Sequence, residues 1–156
     1  MSGLSTPMEV AVLQAICKGQ PLPAFPDLYV ALHTADPGDT GANELTLATA
    51  PGYGRVQLVP DPTPSDGNWT LDAGGPVGQS RMRNNRSVLF GTAAAAWPPV
   101  AFYGLWRTLA GTAPTDFVGG APLTGPGGAP LAPPGLTIDA GNRIEFEALG
   151  LEFWLQ

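Results

Sequence analysis

Cysteine and histidine each occur only once in this sequence of 156 residues, and charged residues make up only 13% of it. A single cysteine excludes an intramolecular disulfide, and a single histidine excludes a histidine pair as metal ligands. No run reaches the roughly 18 apolar residues that a membrane-spanning helix needs. The N-terminus has neither the basic nor the apolar region of a signal peptide. We therefore expect a protein that is made and used without crossing a membrane.

Positive charge is also scarce, because seven Lys and Arg residues stand against thirteen Asp and Glu residues, a net charge of −6. Binding to nucleic acid needs clustered basic side chains that replace counterions on the phosphates. The sequence therefore predicts no nucleic-acid partner and no anionic membrane partner.

Glycine and proline, by contrast, are abundant, with 21 and 18 residues that together form a quarter of the chain. They fall between short apolar runs that contain aromatic residues, which is where turns between strands belong. The apolar fraction of 44% is ordinary for a folded protein. This pattern predicts an all-β fold with long loops.

The one helical pattern lies at residues 7–18. Thr6 is a candidate cap and Glu9 completes a capping box. Cys17 falls in this segment, where a small buried apolar side chain is the expected role. The apolar stripe of the predicted helix consists of Met8, Val12, Ala15 and Ile16.

Beyond the helix the hydrophobic period changes to two. Residues 28–33 place Leu28, Val30 and Leu32 on one face, and residues 100–106 predict a central strand in which Gly104 indicates a close approach or a bulge. Other predicted strands are residues 53–59, 68–71, 87–90, 136–138, 143–147 and 151–155, and predicted long loops are residues 60–67, 79–87 and 119–135. No βαβ alternation is present. We predict a single mainly β domain over residues 1–156, an antiparallel β-sandwich or jelly-roll-like fold with one short N-terminal helix.

Residues suited to catalysis are few. We expect His33 to face outward beside a turn, and Glu145, Glu147 and Asp139 to lie on a solvated strand face. Asp36 and Asp39 fit a turn and lack the spacing of a calcium loop. No GxSxG motif is present. We therefore predict no enzymatic activity, no cofactor and no metal.

The unusual charge feature is a basic segment at residues 81–86 that contains Arg81, Arg83 and Arg86. It is either a solvated loop or a contact with an acidic surface on a neighbouring subunit or particle, because the arginine fork pairs well with carboxylates. Trp97 joins these arginines as a candidate interface residue. The other aromatic residues are core, a sugar-binding platform or an oligomer interface.

Five segments resemble a family of small bacteriophage virion proteins found among head- and tail-associated genes. Residues 28–38 read LYVALHTADPG and match the opening motif of that family almost letter for letter. Residues 53–55 resemble its Y-x-R strand, and residues 88–90 and 100–106 resemble two later strands. Residues 137–146 resemble its closing hairpin.

The resemblance implies a structural role in a virion assembled in the host cytoplasm, with no catalysis. The small domain, the lack of a fibrous repeat and the long loops favour a capsid decoration protein, a homo-oligomer for which a trimer is common, bound to the major capsid protein or another virion protein. One alternative is a tail-associated protein at the tail tip, fibre or adaptor. Another is a carbohydrate-binding module for host attachment.

Overall fold

The fold is given by a computed structural model that describes residues 3–58, 69–72, 81–124, 130–148 and 150–154. Within these residues the chain forms one α-helix, one short 3-10 turn and twelve strands, and every strand pairing is antiparallel. The predicted class, a mainly β sandwich-like fold with one short N-terminal helix, is confirmed. The elements are β1 (Gly3–Leu4), α1 (Thr6–Lys18), β2 (Tyr29–His33), β3 (Val56–Gln57), β4 (Trp69–Asp72), β5 (Arg81–Asn84), β6 (Val88–Leu89), β7 (Trp97–Val100), β8 (Phe102–Trp106), the 3-10 turn (Pro114–Asp116), β9 (Phe117–Pro122), β10 (Leu136–Ile138), β11 (Glu145–Phe146) and β12 (Glu152–Trp154).

Helix α1 lies where the sequence predicts it, but its start is built differently. Ser5 occupies the N-cap position, and no side chain caps the helix. The Ser5 hydroxyl donates instead to the Phe117 carbonyl at 2.7 Å, and the Thr6 hydroxyl donates to Asp39 Oδ2 at 2.8 Å. The predicted capping box is therefore wrong, because tertiary partners take both hydroxyls.

The buried face of helix α1 includes fewer residues than predicted. Met8 is buried, whereas Ile16 is 75% exposed. Cys17 is also exposed, which corrects the expectation that it is buried. The helix rests on β9 and the 3-10 turn, and these elements cover only one side of it.

The largest sheet has five strands in the order β1-β9-β8-β2-β3. Strand β8 lies at its centre, as predicted, with Ala31 opposite Gly104 in the register with β2. The predicted run of residues 100–106 is, however, two strands that divide at Ala101. The Ala101 N–H donates to the His33 carbonyl at 3.0 Å, and the Ala101 carbonyl accepts from Leu123 N–H at 2.8 Å. Val100, before this point, therefore belongs to β7, which pairs with β10.

Two of the three predicted long loops contain strands. The segment 79–87 includes β5, the middle strand of the sheet β12-β5-β4. The segment 119–135 begins inside β9, where Gly119 and Gly120 are buried. A Cβ at Gly119 would lie 2.1 Å from the Gly3 carbonyl oxygen, so the glycine allows β1 to approach. The third loop, residues 60–67, lies outside the described residues.

The predicted closing hairpin forms its turn, but its two strands do not pair with each other. The turn forms, since Asn142 N–H donates to the Asp139 carbonyl at 3.1 Å. The strands on its two sides have separate partners, because β10 pairs with β7 and β11 pairs with β6. The turn therefore links two small sheets.

Strand β2 is buried on both faces, which the sequence does not predict. Val30 and Leu32 belong to the main core, as expected, while Ala31 belongs to a second cluster with Trp106 and Phe117. This second cluster covers the face that was expected to meet solvent. The expectation that His33 faces outward is therefore wrong, and its side chain is fully buried.

Candidate interaction surfaces and the buried polar network

The predicted basic segment is a strand and a turn. The register of β5 places Arg81 opposite Asp72, and Arg83 opposite Glu152. Arg86 follows in the turn and is exposed, whereas Arg83 is half-buried. Of the two arginines of this segment whose side chains the structure describes, Arg86 is therefore the better placed for an outside partner.

Asn84 anchors this turn, although the sequence alone does not predict this role. The residue is fully buried. Its Nδ2 donates to the carbonyls of Arg86 at 2.7 Å and Glu147 at 2.9 Å, and its Oδ1 accepts from Leu151 N–H at 2.8 Å. Three hydrogen bonds satisfy most of the amide's capacity. Asn84 therefore holds the basic turn against the C-terminal strands.

Trp97 is a core residue, which corrects its expected place at a surface. Its side chain is 2% exposed, its Nε1 donates to the Pro51 carbonyl at 3.0 Å, and its ring meets Tyr53 edge to face. Among the aromatic residues whose side chains the structure describes, none is exposed. Glu145, Glu147 and Asp139 are exposed, as expected for a solvated face.

Arg55 and Glu44 form a largely buried ion pair. Their side chains are 6% and 17% exposed. Arg55 Nε donates to Glu44 Oε1 at 2.8 Å and Nη2 donates to Oε2 at 2.7 Å, which is the bidentate geometry that arginine favours. The guanidinium also lies 3.9 Å from the centroid of the Trp106 ring, within the range of a cation–π contact.

The same guanidinium also binds the loop between β8 and the 3-10 turn. Its Nη1 donates to the Thr108 carbonyl at 2.8 Å, and its Nη2 donates to the Gly111 carbonyl at 2.9 Å. Tyr53 extends the network, because its hydroxyl donates to Glu44 Oε1 at 3.0 Å and accepts from Leu32 N–H at 3.1 Å. Burial, together with the nearby Glu44 charge, raises the pKa of the Tyr53 phenol, so the phenol remains a hydrogen-bond donor. The Y-x-R segment is thus the brace between the main sheet and the loops around it.

His33 is a further buried titratable group of this region. Its Nδ1 lies 2.7 Å from the Ala42 carbonyl and is assigned as the donor, while no hydrogen-bond partner among the described residues reaches its Nε2. The ring packs edge-on against Phe117 at a centroid distance of 6.1 Å. Burial lowers the pKa of His33, an effect that outweighs the hydrogen bond to Ala42 and the Glu44 charge, which both raise it. His33 is therefore a neutral packing residue that fixes the loop at residues 34–44.

This burial predicts a loss of stability in mild acid. An exposed histidine in the unfolded chain binds a proton near pH 6.5, whereas the folded chain binds it only at lower pH. The unfolded state therefore gains the proton first, and the free energy of unfolding falls as the pH drops below about 6.5. Urea denaturation of the wild type between pH 7.5 and pH 5 measures this slope. His33→Asn keeps a donor near the Ala42 carbonyl without titrating, so its profile should be flatter; two parallel profiles would contradict the prediction.

A groove of about 690 Å³ opens beside the ion pair. Leu47 and Leu109 lie on its rim and are 68% and 60% exposed. Glu44 and Arg55 are the charged residues in its lining, and they neutralise each other. The groove is therefore an apolar concave surface above a closed ion pair, and we call it the Arg55 groove.

The outer side of α1 is a convex apolar surface. Val10, Leu13 and Ile16 are 46%, 59% and 75% exposed, and they recur at helical spacing with Cys17 beside them. We call this row the α1 ridge. Exposed apolar patches of this kind mark interaction surfaces more often than isolated exposed leucines do.

Metal clusters and membrane-spanning helices are absent from the described part of the chain. Across the described ranges no group of three or more His, Cys, Asp or Glu side chains is arranged to hold a metal ion. No described helix is long and apolar enough to span a membrane.

Comparison with known proteins identifies the class of the chain. The family model described as podophage GP4 fiber I protein gp80 matches residues 3–152. No curated protein matches the chain. The match confirms the expected class of phage virion protein, while the motif at residues 28–38 stays a prediction. Since the match spans nearly the whole sequence, the chain belongs to the podophage GP4 fiber I protein gp80 family, a family of phage virion structural proteins.

Proposed function

We propose that this protein is a non-catalytic structural subunit of a podophage tail fibre. The observation that carries the proposal is the family match over residues 3–152, whose description names a fibre protein. It favours the tail-associated alternative over the capsid decoration role that loop lengths and domain size suggested. The part of the molecule that the structure describes supports a mechanical role, because Tyr53, Arg55 and Asn84 direct their polar groups into internal hydrogen bonds.

The position on the particle tests this proposal directly. Immunogold labelling of purified virions with an antibody against the chain should place gold at the tail fibres. Mass spectrometry of separated head and tail fractions should recover the chain with the tail. Labelling spread over the capsid faces, with recovery in the head fraction, would overturn the fibre assignment in favour of decoration.

Within this function we propose that the basic turn contacts an acidic surface of a neighbouring virion protein. Arg86 offers the cleanest test, because it is exposed and follows β5. Arg86→Glu should lower the number of copies per particle, since it replaces attraction by like-charge repulsion. Arg143→Glu, an exposed arginine in another turn, is the matched control. Equal copy numbers in the wild type and in Arg86→Glu particles would remove Arg86 from the interface.

A further inference from the structure

We infer that the loop at residues 34–44 is an acid-sensitive cover over the second cluster, and that it opens when His33 takes up a proton while the sheet stays folded. We call it the cover loop. The second cluster is formed by Ala31, Trp106 and Phe117, on the face of β2 opposite the main core. The opening is a property of this domain alone, so the inference goes beyond the proposed fibre role and does not rest on it.

The cover loop lies directly on the second cluster. Most of its residues are exposed, but Pro37 and Gly41 are buried. A Cβ at Gly41 would lie 2.9 Å from Phe117 Cδ2 and closer still to the Trp106 ring. Trp106 and Phe117 are only 2% and 0% exposed, so the loop helps to keep water from both rings.

His33 joins the cover loop to the sheet beneath it. Its Nδ1 lies 2.7 Å from the Ala42 carbonyl, near the end of the loop. Its Nε2 lies against the backbone of the central strand, since a Cβ at Gly104 would be 2.5 Å from that atom. Nε2 is buried, and no hydrogen-bond partner among the described residues reaches it. A second proton would therefore place a donor and a positive charge where the closed loop offers no acceptor, which is costly.

The charged groups around His33 do not compensate this cost. Glu44 lies opposite His33 in an isolated bridge, but both of its carboxylate oxygens accept hydrogen bonds from Arg55. Strands β8 and β9 present Gly104 and Phe117 to the ring, and neither residue is charged. Burial, with a smaller contribution from the Arg55 charge, lowers the pKa of His33 more than the Glu44 charge raises it. The ring therefore accepts a proton readily only when the cover loop moves away and water reaches it.

The cover loop is easier to open than the sheet beneath it. The Thr6 hydroxyl ties it to α1 through an exposed hydrogen bond to Asp39. Its base is closed by the Thr34 N–H, which donates to the Asn43 carbonyl at 3.0 Å. Strand β2, by contrast, pairs with β8 along all five of its residues. Segments with few buried apolar contacts open at lower free energy than such a sheet, so we expect the loop to open first.

Native-state hydrogen exchange of the full chain, followed by NMR, tests the inference. His33 binds a proton near pH 6.5 when the loop is open, and only at lower pH when it is closed. Opening therefore takes up one proton. The protection factors of the Thr34 and Ala42 amides, which donate within the loop, should fall about tenfold for each pH unit below about 6.5.

Urea separates this local opening from unfolding of the whole domain. Below the unfolding transition it should leave the protection of Thr34 and Ala42 unchanged, because a local opening exposes little surface. It should lower the protection of those β8 amides that exchange through global unfolding. Loop protection that is independent of pH, or that falls with urea as steeply as in β8, would overturn the inference.

Two variants identify the group that takes up the proton. His33→Asn keeps a donor near the Ala42 carbonyl but cannot take up a proton, so its loop protection should not change between pH 6.5 and pH 5. Asp39→Asn is the matched control, because it keeps an acceptor for Thr6 and leaves His33 in place. It should retain the pH dependence of the wild type. The wild-type dependence in His33→Asn, or its loss in Asp39→Asn, would assign the acid effect to another group and overturn the inference.

The His33 ring gives a readout that needs no variant. It is the single histidine of the chain, so its ring proton signals are assigned without ambiguity. The ring should gain its proton only at the pH where the Thr34 and Ala42 amides have lost their remaining protection. A ring that takes up a proton while both amides stay protected would show that the closed loop tolerates the charge, and would overturn the inference.

Discussion

Arg55→Met is expected to lower the free energy of unfolding by about 3–5 kcal/mol, the range measured when one member of a buried ion pair is removed. Methionine keeps an apolar stem against Trp106 but removes the positive charge that pairs with the Glu44 carboxylate, and Glu44 is only 17% exposed. The Thr108 and Gly111 carbonyls also lose their donor. Urea denaturation at pH 7 measures the change. We expect most of the lost stability to come from the unpaired, buried Glu44 carboxylate. The double variant Arg55→Met/Glu44→Gln should therefore lose less stability than Arg55→Met alone.

The matched control for this prediction is Arg143→Met. Arg143 is exposed in the turn after β10, and exposed charges contribute little, about 0–1 kcal/mol. If Arg55→Met and Arg143→Met unfold at the same urea concentration, then the Arg55 network does not brace the loops around the groove. If the double variant is less stable than the single one, the stranded carboxylate is not the main source of the loss.

Gly104→Ala is expected to destabilise the protein by at least about 2 kcal/mol, since overpacking a filled core costs about 1–3 kcal/mol and sometimes more. A Cβ at this position would lie 2.5 Å from His33 Nε2 and 2.8 Å from Phe117 Cε2. Both rings are fully buried, so neither has solvent into which to move. Gly104 also lies in the central strand of the large sheet, where a backbone shift would disturb β2 and β9 together.

Thermal and urea unfolding of Gly104→Ala measure this effect, with Gly54→Ala as the control. A Cβ at Gly54 meets no atom within 4 Å, so that change should alter stability by less than about 0.5 kcal/mol. Phe117→Leu removes ring atoms from the crowded site, and the double variant should therefore be more stable than the sum of the two single changes predicts. Equal stability of Gly104→Ala and Gly54→Ala would contradict the prediction, because it would show that the His33 and Phe117 rings can move to accommodate the added methyl group.

The sequence predicts a close approach at Gly104 but does not identify the neighbouring residue. A glycine in a strand of bulky residues indicates only that something lies near. The neighbours are the His33 and Phe117 rings, which come from β2 and β9. The prediction that His33 faces outward is wrong because a hydrophobic period of two implies that one face of the strand is exposed to solvent. The second cluster of Ala31, Trp106 and Phe117 buries that face, and no local pattern signals it.

The candidate interaction surfaces are likewise only partly predictable from the sequence. The basic residues at positions 81–86 are evident in the sequence, but their pairing opposite Asp72 and Glu152 depends on the register of three strands that are distant along the chain. The α1 ridge was also hidden, because helical periodicity places Ile16 on the stripe with Met8 and does not reveal how wide a face the neighbouring elements cover. Among the described elements, β9 and the 3-10 turn make the main contacts with the helix.

What the sequence by itself determined is local: the helix at residues 6–18, the strand at residues 29–33, the turn after it, where the Gly38 N–H donates to Asp36, and the antiparallel β class. These follow from propensity, capping glycine and turn chemistry, which act over a few neighbouring residues. The tertiary structure alone decided the Glu44–Arg55 brace, the burial of His33 and Trp97, and the exposure of the α1 ridge. Each depends on contacts between distant segments, and such contacts are set by how whole elements pack rather than by the residues of any one of them.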